Sequence, residues 1–229
     1  MNIIVNGGTR GIGNEVVNYL AQDISNQILV TGRNLADLNS LSVKYKNVHS
    51  LSIDMSVFDS QVEKFRQTVS DHFKRVDILI NMAGSLIVKE FLDTANDEAR
   101  LMMETNFFGP ASVIRILKPM MPAGSHIVNI SSMGGFQGSS KYRGLSYYSA
   151  SKAALACLTE CLANEFSEYG ISVNCLALGA VQTEMFEEAF SGYKAPVDAK
   201  QMGEFISNFA LTGHKFFNGK ILPVAAGNP

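Results

Sequence analysis

No segment of the chain approaches the roughly 20 consecutive apolar residues that a membrane-spanning helix requires. Charge is also scarce: 17% of the 229 positions are charged, and the formal net charge is -2. With neither a basic excess nor a basic run, the electrostatic footprint of a nucleic-acid binder is missing. Tryptophan is absent, and the three cysteines, Cys157, Cys161 and Cys175, are too few and odd in number for a disulfide scaffold. Cys157 and Cys161 stand four apart and could share a helix face as metal ligands, but small apolar core positions are the expectation for them. The histidines, His49, His72, His126 and His214, are scattered without ligand spacing to the cysteines, so no metal is expected and surface or loop positions are. The opening "MNIIVNGG" lacks the charged start and long apolar stretch of a signal peptide. A cytoplasmic protein with no membrane or nucleic-acid partner is the expectation. Hydrophobic residues make up 46% of the chain, enough for a large core.

Short β-branched runs alternate with helical stretches. The runs are 2–5, 27–32, 48–53, 76–81, 126–131, 171–178 and 220–225, several of them apolar throughout, as strands covered on both faces tend to be. Helices are predicted over 11–23, 35–45, 57–74, 97–118 and 147–168, with Asn34 as an N-cap and Gly170 as a C-cap. This alternation implies right-handed crossovers and a parallel sheet between helical layers, a doubly wound α/β fold. No linker is visible, so residues 1–229 read as one domain. Residues 184–210, helical in character but interrupted by Gly192 and Pro196, read as a short lid over a site.

The first strand runs into "NGGTRGIG", residues 6–13. In a strand–turn–helix context, Gly7 permits a backbone angle closed to other residues, Gly11 lets the backbone approach a pyrophosphate, and Gly13 lets helix and sheet pack closely. No Lys-Ser/Thr follows, so a P-loop is excluded. About 20 positions on, dinucleotide folds carry an acidic residue for a ribose 2′-hydroxyl or an arginine for a 2′-phosphate. Here Arg33 ends the second strand and Arg10 lies in the turn, which favours NADP(H) over NAD(H). Asp54 ends the third strand, as a candidate acceptor for an adenine amino group, and "NMAG" (81–84) ends the fourth. All of these lie at carboxyl ends of consecutive strands, where open α/β sheets bind ligands.

"YYSASK" (147–152) carries the chemistry. A tyrosine four residues before a lysine means little alone, but on a helix such residues share one face. Tyr148 and Lys152 meet that spacing. Tyr147 does not, and reads as a wall residue. A nearby ammonium would lower the phenol's pKa from near 10 toward a useful range. Ser132, ending "HIVNISS", can donate a hydrogen bond to a substrate oxygen, while Ser131 should face the other way. Asn106 is a polar residue on an otherwise apolar helix face; it either holds a water or satisfies a local backbone group.

"NGGTRGIG", "NMAG", "NISS" and "YSASK", in this order and spacing, resemble the short-chain dehydrogenase/reductase family in its short, single-domain form, over roughly residues 2–225. The resemblance implies a Rossmann-type, three-layer α/β/α fold with seven strands in the order 3-2-1-4-5-6-7. It implies a catalytic set of Asn106, Ser132, Tyr148 and Lys152: Tyr148 as general acid/base, Ser132 orienting the substrate oxygen, Lys152 holding the nicotinamide ribose and lowering the tyrosine pKa, and Asn106 positioning a water. The implied cofactor contacts are Gly7, Thr9, Arg10, Gly11, Ile12 and Gly13 in the turn, then Arg33, Asn34, Asp54, Met55, Asn81, Ala83 and Gly84. Tyr148 and Lys152 join them, with Gly179, Val181 and Thr183 after the sixth strand. Departures from the family pattern are Asn6 for a threonine, Met82 within "NMAG", and Leu178-Gly179 for Pro-Gly. The expected activity is reduction of a small-molecule ketone, aldehyde or 3-oxoacyl group by NADPH, in a homodimer or homotetramer built on helices 97–118 and 147–168. The competing readings are a non-catalytic NADP(H)-binding sensor or scaffold, and an epimerase or dehydratase on the same fold. All four catalytic positions are filled and only a short segment follows Thr183, which disfavours both.

Overall fold

The strands form where apolar β-branched runs can be covered from both sides. A computed structural model describes residues 1–226 and contains β1 (Asn2–Asn6), α1 (Gly11–Leu20), β2 (Gln27–Gly32), α2 (Leu35–Lys44), β3 (Val48–Ser52), α3 (Val62–His72), β4 (Ile78–Asn81), α4 (Asn96–Met103) and α5 (Gly109–Leu117). These are followed by β5 (His126–Ser132), α6 (Ser146–Glu165), β6 (Ser172–Leu178), β7 (Val181–Gln182), α7 (Glu184–Ala189), β8 (Val197–Asp198), α8 (Ala199–Thr212) and β9 (Ile221–Val224). Seven strands make one parallel sheet in the order β3-β2-β1-β4-β5-β6-β9, the predicted Rossmann order. β7 and β8 form a separate two-stranded sheet.

Alternate residues of each strand feed two cores. Ile3, Val5, Ile28, Val30, Ile80 and Val128 pack with Val16 and Val17 of α1 and Ile206 of α8. Ile4, Leu29, Leu79, Ile127 and Val173 pack with Phe65 of α3 and Val113 and Leu117 of α5. Burial of this kind stabilises by about 1.5–3 kcal/mol per large aliphatic side chain.

At the carboxyl edge the second core ends in an in-register polar row. Thr31, Asn6, Asn81 and Asn129 are cross-strand partners. Thr31 Oγ1 donates to Asn6 Oδ1 (2.8 Å), Asn6 Nδ2 to Asn81 Oδ1 (3.3 Å), and Asn81 Nδ2 to Asn129 Oδ1 (2.8 Å). Asn129 Nδ2 then donates to Thr159 Oγ1 of α6 (2.9 Å). All five residues are essentially buried, so each bond satisfies a group that water cannot reach.

Several expectations are corrected. The helix expected over 97–118 is broken by a π-turn, Glu104–Phe108, which contains Asn106. The helix expected over 57–74 opens with a 3₁₀ segment, Met55–Gln61, kinked at Val57. Of the expected lid over 184–210, residues 199–212 are α8, a core helix lying against α1 so closely that a Cβ on Gly203 would stand 2.6 Å from Glu15 Cβ. The surface excursion is confined to 184–198. His126 is not at the surface: it is fully buried in β5, its Nδ1 2.9 Å from the Ala210 carbonyl and its Nε2 3.0 Å from Asn174 Nδ2. Desolvation depresses its pKa to about 4. Cys157 and Cys161 are exposed on the outer face of α6 and are not core residues; only Cys175 is buried. Among the described residues no cluster of three or more ligating side chains could hold a metal, and no helix is long and apolar enough to cross a membrane. Asn34 does cap α2, accepting from Ala36 N at 2.9 Å, and Gly170 ends the α6 region with φ 67°.

Asn81→Ala removes the middle of the polar row and leaves Asn129 Oδ1 and Asn6 Nδ2 short of partners. An unsatisfied buried polar group costs about 1–3 kcal/mol. The expected outcome is a lower urea midpoint at unchanged m-value; an unchanged midpoint would show that the row carries no stability.

Candidate active site

The glycine turn is shaped by backbone-to-backbone contact. Gly7 and Gly8 N–H both donate to the Thr31 carbonyl, at 3.0 and 3.1 Å. Gly7 has φ 89°, and a Cβ there would lie 2.5 Å from Ala83 N. A Cβ on Gly13 would lie 2.1 Å from the Gly7 carbonyl oxygen, so α1 begins against the turn itself. No side chain caps the start of α1, and its first turn carries no acidic residue. Its free N–H groups and dipole are therefore open to an anion. A closely approached backbone cradle beneath an uncapped helix start fits a pyrophosphate.

From this turn a cleft follows the strand ends. Gly7, Thr9, Arg10, Gly11, Ile12, Gly13, Arg33, Asp54, Met55, Ala83, Gly84 and Thr183 line it, and Asn34 borders an adjoining depression. Arg10 and Arg33 are exposed, and neither forms an ion pair among the described residues. Asp54 Oδ1 accepts from Ser56 N–H and Oγ, at 2.9 and 2.8 Å, which fixes the carboxylate at the rim. Thr183 caps α7 through Phe186 N (3.2 Å) while its methyl stands over Gly11. Asn81, Tyr148, Lys152, Gly179 and Val181 lie outside the lining. Asn81 belongs to the polar row, Gly179 N–H donates to the Val224 carbonyl (2.9 Å), and Val181 is buried in β7. Ser85, Thr105 and Met185 line the cleft without having been anticipated.

The four candidate catalytic residues come from three elements. Ser132 ends β5 and its Oγ accepts from Gly134 N–H (3.1 Å). Tyr148 and Lys152 lie one turn apart on α6. Lys152 is 4% exposed, and its Nζ donates to the Ile130 carbonyl (2.9 Å). Asn106 Oδ1 and Lys152 Nζ both stand 3.5 Å from where a Cβ on Gly84 would be, so glycine leaves that space free between them.

Asn106 uses its side chain locally. Its Oδ1 accepts from Ser85 N–H (2.7 Å), and its Nδ2 donates to the Ser85 carbonyl and Ser151 Oγ, each at 2.9 Å. Ser151 Oγ in turn donates to the Tyr148 carbonyl (2.7 Å). Asn106 thus ties the β4–α4 loop to the helix bearing Tyr148. Ser131 faces away from Ser132, as alternation predicts, and its Oγ donates to the Lys152 carbonyl (2.8 Å). A Cβ on Gly135 would lie 2.6 Å from the Ala153 nitrogen, so the loop after β5 passes directly against α6.

The expected electrostatics are reversed for the phenol. Burial raises the Tyr148 pKa, and the Ser132 side chain offsets this only in part. Burial lowers Lys152 to about 8, opposed by the neighbouring Cys175. Desolvation is the largest cause at both groups.

The model of the short chain dehydrogenase family matches residues 1–194. A tropinone reductase homolog of Arabidopsis thaliana is 34% identical over 243 residues, covering 98% of this chain and 90% of its own. An uncharacterised oxidoreductase of Staphylococcus epidermidis is 28% identical over 212 residues, covering 91% and 90%. Among solved structures, a mutant short-chain dehydrogenase/reductase of Serratia marcescens superposes with a TM-score of 0.87 at 25% identity, covering 97% of this chain and 95% of its own. The match over most of the chain, on a seven-stranded Rossmann sheet with a glycine cradle, places this protein in the short-chain dehydrogenase/reductase family of NAD(P)-dependent oxidoreductases.

Proposed function

We propose that the protein reduces the carbonyl group of a small molecule to an alcohol, with NADP(H) preferred over NAD(H) and Tyr148 as general acid. The observation that carries this reading is the convergence of Asn106 and Lys152 on Gly84, at the edge of the cleft, with Tyr148 one turn before Lys152 on α6 and Ser132 at the end of β5. When bound, the dinucleotide supplies the hydride. The chain holds and moves the proton. Ser132 and Tyr148 hydrogen-bond the carbonyl oxygen, and the phenol gives up its proton as charge develops there. A raised phenol pKa keeps that proton on Tyr148 throughout the neutral range. Lys152, charged below about pH 8, stabilises the phenolate left behind.

Asn106 supports a proton relay through its backbone. Position 110, four residues on, is Pro110, which has no N–H to give the Asn106 carbonyl. That carbonyl is the group we assign to a relay water, since the amide side chain is already occupied. The 2′-phosphate is assigned to Arg10 and Arg33, whose guanidinium groups are exposed beside the cleft. The exposed apolar residues Leu101 and Phe108, on and beside α4, with the outer face of α6, are proposed as the contact of a homodimer. Two exposed free thiols, Cys157 and Cys161, favour a reducing cytoplasmic setting. A non-catalytic sensor would not need Tyr148, Ser132 and Lys152 together.

Tyr148→Phe is expected to lower carbonyl turnover by about 10²–10⁴-fold, the worth of a positioned acid, while the dissociation constant for NADPH stays within about twofold. Near-full activity in that variant would sink the mechanism.

Arg33→Ala removes a charge-assisted contact worth about 1.5–3 kcal/mol. NADPH affinity should fall by about 10–100-fold with NADH affinity unchanged, measured by calorimetric titration. Equal losses for both would overturn the NADP(H) assignment.

Reduction should hold a constant kcat/KM through neutral pH and decline as pH rises through about 8, where Lys152 loses its proton and Tyr148 keeps its own. A decline on acidification below neutrality would contradict this ordering.

A further inference from the structure

Tyr147, one residue before the catalytic tyrosine, does not sit idle. Its ring stacks on Phe91 with centroids 5.4 Å apart and planes at 15°. Phe91 comes from the loop between β4 and α4, and Tyr147 from the first turn of α6. Phe91 is 60% exposed, and Val88 and Leu92 beside it are 40% and 92% exposed. An aromatic pair with this much apolar surface around it is a binding face with nothing over it.

The face is preformed. Lys89 N–H donates to the Gly144 carbonyl (3.0 Å), which joins the loop to the segment leading into α6. Lys89 pairs with Glu98 and Arg143 with Glu90, each at 2.5 Å. Lys141 donates to the Phe136 carbonyl (2.6 Å) and Ser139 Oγ (2.7 Å). The three cationic groups of this rim are thus already engaged. An anionic or phosphate-bearing substrate would compete with those contacts for the cations; a neutral ring would not.

Resting on the carbonyl-reductase reading above, we propose that the Phe91–Tyr147 pair is the substrate wall and that the substrates are neutral aryl ketones and aldehydes. The ring stacks on the pair while the carbonyl reaches Tyr148. The carbonyl carbon accepts hydride from NADPH, the C=O π-bond opens, and the oxygen takes the Tyr148 proton, which solvent replaces. The products are an aryl alcohol and NADP⁺.

Acetophenone and cyclohexyl methyl ketone share a skeleton and differ in aromaticity. Wild-type kcat/KM is expected to favour acetophenone by about tenfold, the upper range for a stacked aromatic contact. Phe91→Ala should erase that preference by raising KM for acetophenone about tenfold more than for the cyclohexyl ketone. The chain has no tryptophan, so Phe91→Trp introduces a single indole whose emission reads occupancy without turnover. Phenylethanol should quench or shift it, and cyclohexylethanol should not. Turnover with no aryl preference, equal losses on both ketones, or an unresponsive indole overturns the aryl wall and leaves the reductase reading intact. An indole that responds to phenylethanol in a protein that turns over no carbonyl overturns the reductase reading and keeps the aryl site. A changed elution volume for Phe91→Ala makes the pair a subunit contact and overturns the proposal.

Discussion

A row of buried amides at the carboxyl edge of the sheet holds both halves of the site in one frame. Asn6, Asn81 and Asn129 occupy one level of β1, β4 and β5, bonded to one another and anchored at the ends by Thr31 of β2 and Thr159 of α6. The glycine turn begins at the next residue after Asn6, and Tyr148 and Lys152 lie on the same helix as Thr159. Each bond is worth only about 1 kcal/mol net, but an orphaned buried amide costs more than a made bond gains. The row therefore selects one register rather than adding much stability. A slip by one residue on any strand would turn its amide toward the opposite core and unpair two neighbours at once. Ser131 to the Lys152 carbonyl and Lys152 to the Ile130 carbonyl add two further ties between β5 and α6.

Burial sets the electrostatics of this frame. It pushes the Tyr148 phenol up and the Lys152 ammonium down, both toward the neutral forms. At neutral pH the phenol keeps its proton and most of Lys152 is charged. That is the protonation state a carbonyl-reducing acid requires; desolvation secures the phenol's proton and leaves Lys152 closer to neutrality than a free lysine. His126 shows the same physics without a catalytic role: two hydrogen bonds hold its neutral ring in the core, and desolvation depresses its pKa to about 4.

What was legible in the sequence is what depends on local sterics or on a strict period. Gly7 and Gly13 are readable because backbone atoms stand where their Cβ atoms would be. The parallel sheet between helical layers follows from alternation and crossover handedness, whereas the strand order was implied by the family resemblance. Tyr148 was separable from Tyr147 because a helix places residues four apart on one face. Contacts between distant segments were not legible. His126 looked like a loop residue because its partners, Ala210 and Asn174, lie 84 and 48 positions away. The π-turn around Asn106 adds its irregularity without disturbing the surrounding helical pattern, although Pro110 was a visible sign that the ladder of bonds could not continue there. Cys157 and Cys161 looked like core residues because small apolar side chains usually are; the outer face of α6 carries no hint in the chain of what it meets. The fold around Asn6, where the family pattern has threonine, became intelligible only when its amide was seen to bridge Thr31 and Asn81.

The chemistry and the selection of substrate are built from materials of different rigidity. The candidate catalytic side chains rest on strand ends and a long helix, bolted by buried hydrogen bonds. The aromatic wall rests on two surface segments. Their ion pairs are partly or largely exposed: the Lys89 and Glu98 side chains are 45% and 25% exposed, and those of Arg143 and Glu90 are 83% and 51%. Exposed pairs of this kind contribute about 0–1 kcal/mol and weaken with salt. The Lys89–Gly144 backbone bond and the Phe91–Tyr147 stack therefore carry most of the wall's definition. Changing the residue at 91 alters what the wall accepts without touching the polar row, Lys152 or Ser132. Of the two rings in the proposed wall, Tyr147 is fixed by α6 next to the candidate catalytic phenol, so the freedom to retune specificity lies on the β4–α4 loop.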